Sequence, residues 1–345
     1  MEQVLIIGHG YAGRRFLTAL RYLRREGLPV DVVGVVDIRP DHLPADLPCY
    51  LDLDTALREL RPTVVCVTVN EAAHAEVFRA LGRLDRVLVL AEKPLVADQR
   101  DEESVVASLR QHMFSMNLVE RFSPMVTRCR EWMRAEGPWT VTRTEAFWGK
   151  HRIGDARPTM GVLSELIHAL DLIGHVFGAD KPEIIRSSGV LSDLSPYATD
   201  VLDSLDVIAL NGDAPMLLHT SFSWPARMRL VTTLLWSERS GIHRVELELD
   251  TPHWDCDRLE IKSITPDGRW TTVLRDSTEV MALPTEIRGV GKVVEFVRAS
   301  LYGWWERSDG ADLVDLAAAA RLQDTLTRIG DSVEGGLLEA RYRRA

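Results

Sequence analysis

Six residues near the start of the chain, Gly8-His9-Gly10-Tyr11-Ala12-Gly13, restrict its fold more than any other feature. They spell GxGxxG between an apolar run (3–8) and a stretch with apolar residues at helical spacing (11–26). A strand that turns here and leaves as a helix uses Gly8 for the tight bend. Gly10 lets the backbone approach a pyrophosphate, and Gly13 lets the helix lie against the strand. The first helical N–H groups then offer free donors and a partial positive charge to an anion. Dinucleotide binding through Gly8, Gly10, Tyr11, Ala12 and Gly13 is the expectation.

The alternation continues through the first third of the chain. Apolar runs at 30–37, 62–70, 86–92 and 112–118 are separated by helical patterns at 72–81 and 101–110. Continuous Val/Leu/Ile runs between helices imply a parallel sheet covered on both faces, a doubly wound Rossmann sheet. After residue 120 the texture changes. A helix (124–136), a strand (140–148) and a second helix (160–177) precede seven strand-like stretches: 183–191, 202–210, 216–224, 230–236, 243–249, 259–264 and 270–274. Turn pairs such as Asn211-Gly212 and Asp267-Gly268 make these antiparallel hairpins. A closing helix spans 311–329, and Trp304 and Trp305 read as core or interface residues. A chain of 345 residues exceeds what one core usually serves. The expected class is α/β plus α+β: a Rossmann dinucleotide domain at 1–120, then a domain at 121–345 built on a large, mostly antiparallel open sheet.

Charge narrows the partners. With 41 Lys and Arg against 51 Asp and Glu, the net charge is −10. That surface repels nucleic acid and anionic membranes, so a small-molecule substrate is expected, and an anionic cofactor must be held by local donors. The four cysteines are scattered without a CxxC pair or a histidine at metal spacing, which suits a reducing, cytoplasmic compartment and no metal site. No run approaches the roughly 18 apolar residues of a membrane span, and the apolar start has no leader-peptide pattern.

Individual residues follow from strand ends. Asp37 closes the second strand, where a carboxylate accepts from ribose hydroxyls and repels a 2′-phosphate. This favours NAD; Arg39, two residues on, leaves NADP open, being able to pair with that phosphate, stack on adenine or lie in solvent. Lys93, in Ala91-Glu92-Lys93-Pro94, ends another strand and so falls near the nicotinamide by topology. Asn70 also ends a strand, where it can touch the cofactor; Asn117 ends another and is either a turn former or, with Arg121, Ser164, Glu165 and Asp171, a candidate substrate contact. His74 reads as structural. On the helix at 160–177, Leu163, Leu166, Ile167, Leu170 and Ile173 fall on one face at about 100° per residue. Ser164, His168 and Asp171 fall opposite, with Glu165 adjoining and Gly161 leaving room for a ligand. Trp148, Lys150, His151 and Arg152 follow a strand and face either a cleft or solvent.

In its order of GxGxxG, an acid after the second strand and Glu92-Lys93-Pro94, the chain resembles the glucose–fructose oxidoreductase/inositol dehydrogenase (Gfo/Idh/MocA) family. Asn117–Pro124 (NLVERFSP) looks like that family's Arg-Phe-x-Pro entry to the second domain, matching at Arg121. Residues 161–171 (GVLSELIHALD) resemble its glycine-led helix, matching at His168 and Asp171. The resemblance implies a catalytic Lys93, an acid/base His168 and a Glu92 lying against the nicotinamide ribose. Many members carry an aspartate four residues before that histidine. Here Ser164 stands there and Glu165 follows, so either Glu165 substitutes or Lys93 and His168 act without a carboxylate. The resemblance further implies reversible hydride transfer to or from a sugar, cyclitol or related polyol, and a homodimer or homotetramer. A ketone or imine reductase for an amino-sugar or secondary-metabolite intermediate is the alternative, and a non-catalytic dinucleotide sensor a third.

Overall fold

Alternating runs of Val, Leu and Ile bury both faces of the first sheet. The computed structural model describes residues 1–155, 161–179, 181–195, 200–308, 310, 312–333 and 337–342. Met160 and Ala311, expected to begin helices, lie outside them. Six parallel strands pair in the order β3-β2-β1-β4-β5-β6: β1 (Glu2–Ile7), β2 (Val30–Val36), β3 (Cys49–Tyr50), β4 (Val64–Val67), β5 (Leu88–Ala91) and β6 (Met113–Met116). Every residue of β4, β5 and β6 is buried. The order reverses between β1 and β4, the position where open parallel sheets take ligands. Between the strands run α1 (Tyr11–Arg25), α2 (Leu53–Leu60), α3 (His74–Leu81) and α4 (Glu102–Leu109). Asp52 caps the short helix α2 by accepting from the Thr55 N–H at 2.8 Å.

The second sheet has nine strands. The chain passes through α5 (Pro124–Glu136), β7 (Thr140–His151) and α6 (Leu163–Phe177). It then forms β8 (Glu183–Ser192), β9 (Val201–Asn211), β10 (Ala214–Ser221), β11 (Ser223–Ser237), β12 (Gly241–Glu248), β13 (Arg258–Ile264) and β14 (Trp270–Ser277). After α7 (Gly291–Glu306) and α8 (Leu316–Ser332) comes β15 (Leu337–Ala340). The order is β14-β13-β12-β11-β7-β10-β9-β8-β15. Pairing is antiparallel except for β7 with β10 and β8 with β15. One face carries the core: Val207, Leu218, Ala146, Val231 and Val245 are all buried.

The chain divides into two compact units, Met1–Val119 with Leu283–Gln323, and Glu120–Ala282 with Asp324–Ala345. Residues 121–345 are therefore not one block, because the chain returns to the first unit. There α7 packs beside α1, with Phe16 and Phe296 edge-on at 6.1 Å. The adjacent β-branched pair Val293-Val294 reads equally as the start of a strand, and the expected elements include no helix over 291–306. Trp305 lies on α7, donating to Glu2 Oε1 at 3.0 Å.

Candidate functional site

The glycine turn of the first unit is held from behind. Gly8 has φ +89°, and a Cβ there would come within 2.7 Å of the Val69 nitrogen. The Thr68 hydroxyl donates to the Ile7 and Gly8 carbonyls. A Cβ on Gly13 would lie 2.0 Å from the Gly8 oxygen, so only glycine lets α1 start this close to β1. Gly10 differs, since a Cβ there meets no protein atom within 4 Å. It is the N-cap of α1, whose first turn has no side-chain cap and no acid. The open space in front of those N–H groups fits a pyrophosphate. Gly13→Ala should thus destabilise the first unit by about 1–3 kcal/mol through overpacking. Gly10→Ala should leave the melting temperature within about 2 °C and weaken dinucleotide binding alone, a contrast that thermal melts with and without NADH measure.

Asp37 lies beside this turn. One carboxylate oxygen accepts from the His9 N–H at 2.7 Å and the other from the Arg39 N–H at 2.9 Å. The buried His9 ring meets the His42 carbonyl at 2.5 Å. Asp37 thereby braces the turn through His9, a contact not anticipated from sequence. The Arg39 side chain is directed to His42 Nδ1 at 3.0 Å, and Tyr11 stays exposed with the Arg15 guanidinium 5.6 Å from its ring.

Around Lys93, the Glu92 N–H donates to Val67 O at 2.8 Å, continuing the ladder beyond β5. Asn117 donates to Glu92 Oε1 at 2.7 Å, which fixes that carboxylate. Asn70 Oδ1 accepts from the Ala72 N–H at 2.8 Å, so it caps a short turn. His74 Nδ1 donates to the Pro94 carbonyl at 2.7 Å, and burial pushes the ring's pKa down, keeping it neutral. It supports the turn that carries Lys93.

In the second unit the polar side of α6 is not a solvated face. Ser164, Glu165, His168 and Asp171 are all buried. His168 Nδ1 lies 2.8 Å from Glu120 Oε2, and its ring is parallel to Trp148 at 6.2 Å between centroids. Glu120 Oε1 accepts from Arg229 Nη1 at 2.8 Å. Arg229, 3% exposed, also donates to Asp250 Oδ2 at 2.7 Å and Glu165 Oε2 at 3.4 Å. Burial disfavours its charge, but Glu120, Asp250 and Glu165 outweigh it and push the pKa up. The guanidinium lies 5.1 Å from the Trp148 ring and 5.0 Å from the Trp254 ring. Lys150 is ion-paired with Glu165.

Several expectations change here. Glu165 was one candidate partner for His168, yet it is paired with Lys150 and Arg229 while Glu120 holds the imidazole. Arg121 and Asp171 are taken up with each other, Nε to Oδ2 at 2.9 Å, and burial pushes the Asp171 pKa up against the pull of Arg121. Trp148, Lys150 and His151 do not follow a strand; β7 runs on to His151, and period-two alternation turns Trp148 and Lys150 toward α6. At Gly161 the side where a side chain would stand is filled by β9: it has φ +89°, and a Cβ would sit 2.6 Å from Leu202 O, so the backbone approach alone requires glycine. Ser164 Oγ instead closes the helix start on Gly161 O at 2.9 Å. Among the described residues no group of three or more His, Cys, Asp or Glu is arranged to hold a metal ion, and no helix is long and apolar enough to cross a membrane.

Comparison with known proteins supplies an independent reading. Residues 3–116, the stretch that holds β1 to β6, match the model of an oxidoreductase family with an NAD-binding Rossmann fold. Trans-1,2-dihydrobenzene-1,2-diol dehydrogenase from Bos taurus is 31% identical over 183 residues, covering 50% of this chain and 51% of that one. The chain thus spans about half the length of the curated relative it matches. Levoglucosan dehydrogenase, solved with NADH, aligns with a TM-score of 0.77 at 14% identity over 97% of each chain. The super-repressor mutant of Gal80p from Saccharomyces cerevisiae aligns with a TM-score of 0.71 at 14% identity over 96% of each. At such identities these structures establish the fold, which one neighbour's name ties to dehydrogenation and the other's to repression.

Proposed function

Since its N-terminal domain belongs to the glucose–fructose oxidoreductase/inositol dehydrogenase (Gfo/Idh/MocA) family, we propose that this protein is an NAD(H)-dependent dehydrogenase that interconverts an alcohol and a carbonyl on a sugar, cyclitol or related polyol. The observation that carries the reading is the open position at Gly10 in front of the uncapped α1 N-terminus, a cradle that a Cβ would fill. Gly8 to Gly13 would hold the pyrophosphate and Asp37 the adenosine ribose. Glu92, fixed by Asn117, would meet the other ribose.

When bound, the nicotinamide supplies the hydride acceptor for oxidation and the donor for reduction. The protein's own groups handle the proton. Lys93 stabilises negative charge on the substrate oxygen with its ammonium, and the His168 imidazole takes the hydroxyl proton in oxidation and returns it in reduction. His74 and Asn117 keep the Lys93 turn and the Glu92 carboxylate in place. The presence of both Lys93 and His168 favours catalysis over a sensing role on the same fold.

Exposed Ile208, Trp236, Ile242 and Trp270 on the second sheet support association with a further copy of the chain. Four cysteines, none paired with another, support a cytoplasmic setting. The reading is tested by thermal shift. NADH at 100 times its Kd should stabilise the protein by about 2.7 kcal/mol, and NADPH by much less because Asp37 repels the 2′-phosphate. A protein whose melting neither dinucleotide moves is not this enzyme; one that both move equally has no role for Asp37 in discrimination.

A further inference from the structure

Residues four apart on an α-helix share a face, so an acid at position 164 would stand one turn from His168. The chain has Ser164 there, bonded back to Gly161 O at 2.9 Å. Glu165, next in sequence, is held by Lys150 and Arg229. The carboxylate that reaches the imidazole comes from outside the helix, from the turn Val119–Phe122 at the head of α5.

We propose that Glu120 is the positioning residue of His168 and dictates which ring nitrogen exchanges the proton; this rests on the reading of His168 as the acid/base group. An ionised carboxylate can only accept. Glu120 Oε2, 2.8 Å from Nδ1, therefore keeps a hydrogen on Nδ1 and leaves Nε2 as the atom that gains and loses the proton. Arg229 makes this a fixed choice. It donates to the other carboxylate oxygen at 2.8 Å, which keeps Glu120 ionised and stops it from turning away. Trp148, lying parallel to the imidazole with a 7° interplanar angle, limits rotation of the ring. Charge, hydrogen bond and stacking thus act on one tautomer. None of these contacts involves position 164, so serine is tolerated there.

Arg229 also makes Glu120→Gln an informative variant. Facing a donor-only guanidinium, the glutamine turns its carbonyl toward Arg229 and its NH₂ toward Nδ1. The ring must then accept at Nδ1 and carry its hydrogen on Nε2, the wrong nitrogen for taking a proton. Nitrogen-15 NMR of the histidine-labelled full chain above pH 8, with the His168 signals identified by their loss in H168Q, reads the tautomer without substrate. The expected result is hydrogen on Nδ1 in the native protein and on Nε2 in E120Q. With a confirmed substrate, E120Q should lower kcat by about 10²- to 10⁴-fold with the KM for NADH unchanged. Hydrogen on Nε2 in the native protein, or an unaltered tautomer in E120Q, overturns the proposal. The native spectrum decides even if the variants fold poorly. Loss of NADH binding by the native chain would instead sink the dehydrogenase reading and leave the tautomer result standing.

Discussion

Replacing Lys93 by methionine is expected to lower turnover by about 10²- to 10⁴-fold while NADH still binds. Methionine keeps much of the side-chain length and removes only the charge and the donors. The frame of the turn is built from other atoms. Glu92 N–H continues the ladder to Val67, Asn117 fixes the Glu92 carboxylate, and His74 Nδ1 holds the Pro94 carbonyl. The glycine turn stands on β1 and α1 and depends on Thr68 and Asp37. Fold and dinucleotide cradle should therefore survive, and the loss should appear in kcat with any substrate that the native protein oxidises. Steady-state kinetics on a panel of sugars and cyclitols, paired with an NADH thermal shift, makes the measurement. Native-like turnover in K93M removes the lysine from the chemistry; a variant that no longer binds NADH makes it a binding group instead.

The strand end that carries that lysine was legible because its signal is local. A strand end, a Glu-Lys-Pro triplet and a glycine turn each occupy a few consecutive residues, and the order of parallel strands fixes which ends take ligands. The histidine cluster was legible only in part. His168 stood out on the polar side of α6, but Glu120 is 48 residues away in sequence and Arg229 a further 109 from Glu120. No spacing rule links them. A signal for Arg229 did exist. It shares the inward phase of β11 with Val231 and Leu235. However, Leu230, Leu234 and Trp236 make the opposite phase equally apolar, so alternation could not say which side faces the core. The polar face of α6 misled for a related reason. Helical spacing separates polar from apolar, and it is silent on whether a polar face meets water or a buried set of partners.

The partners of Arg229 lead to the second large effect. Replacing it by leucine should destabilise the second unit by about 3–5 kcal/mol, because Glu120, Glu165 and Asp250 would remain buried without the cation they share. A loss of that size lowers the melting temperature by roughly 10 °C in a unit of this length. Arg229→Lys should fall in between. An ammonium keeps the charge but lacks the planar fork that serves several carboxylates, and it stacks less well on Trp148 and Trp254. Tryptophan fluorescence follows the unfolding directly, since both rings lie against the guanidinium. The pH dependence separates a charge effect from a packing effect. With the cation gone, the folded state holds the buried carboxylates that Arg229 served more readily as neutral acids than the unfolded chain does. The stability deficit of R229L should then shrink as pH falls from 7 toward 5, the opposite of ordinary acid weakening. A deficit that stays constant over that range would mean that the lost stacking and volume, rather than the buried charges, set the cost.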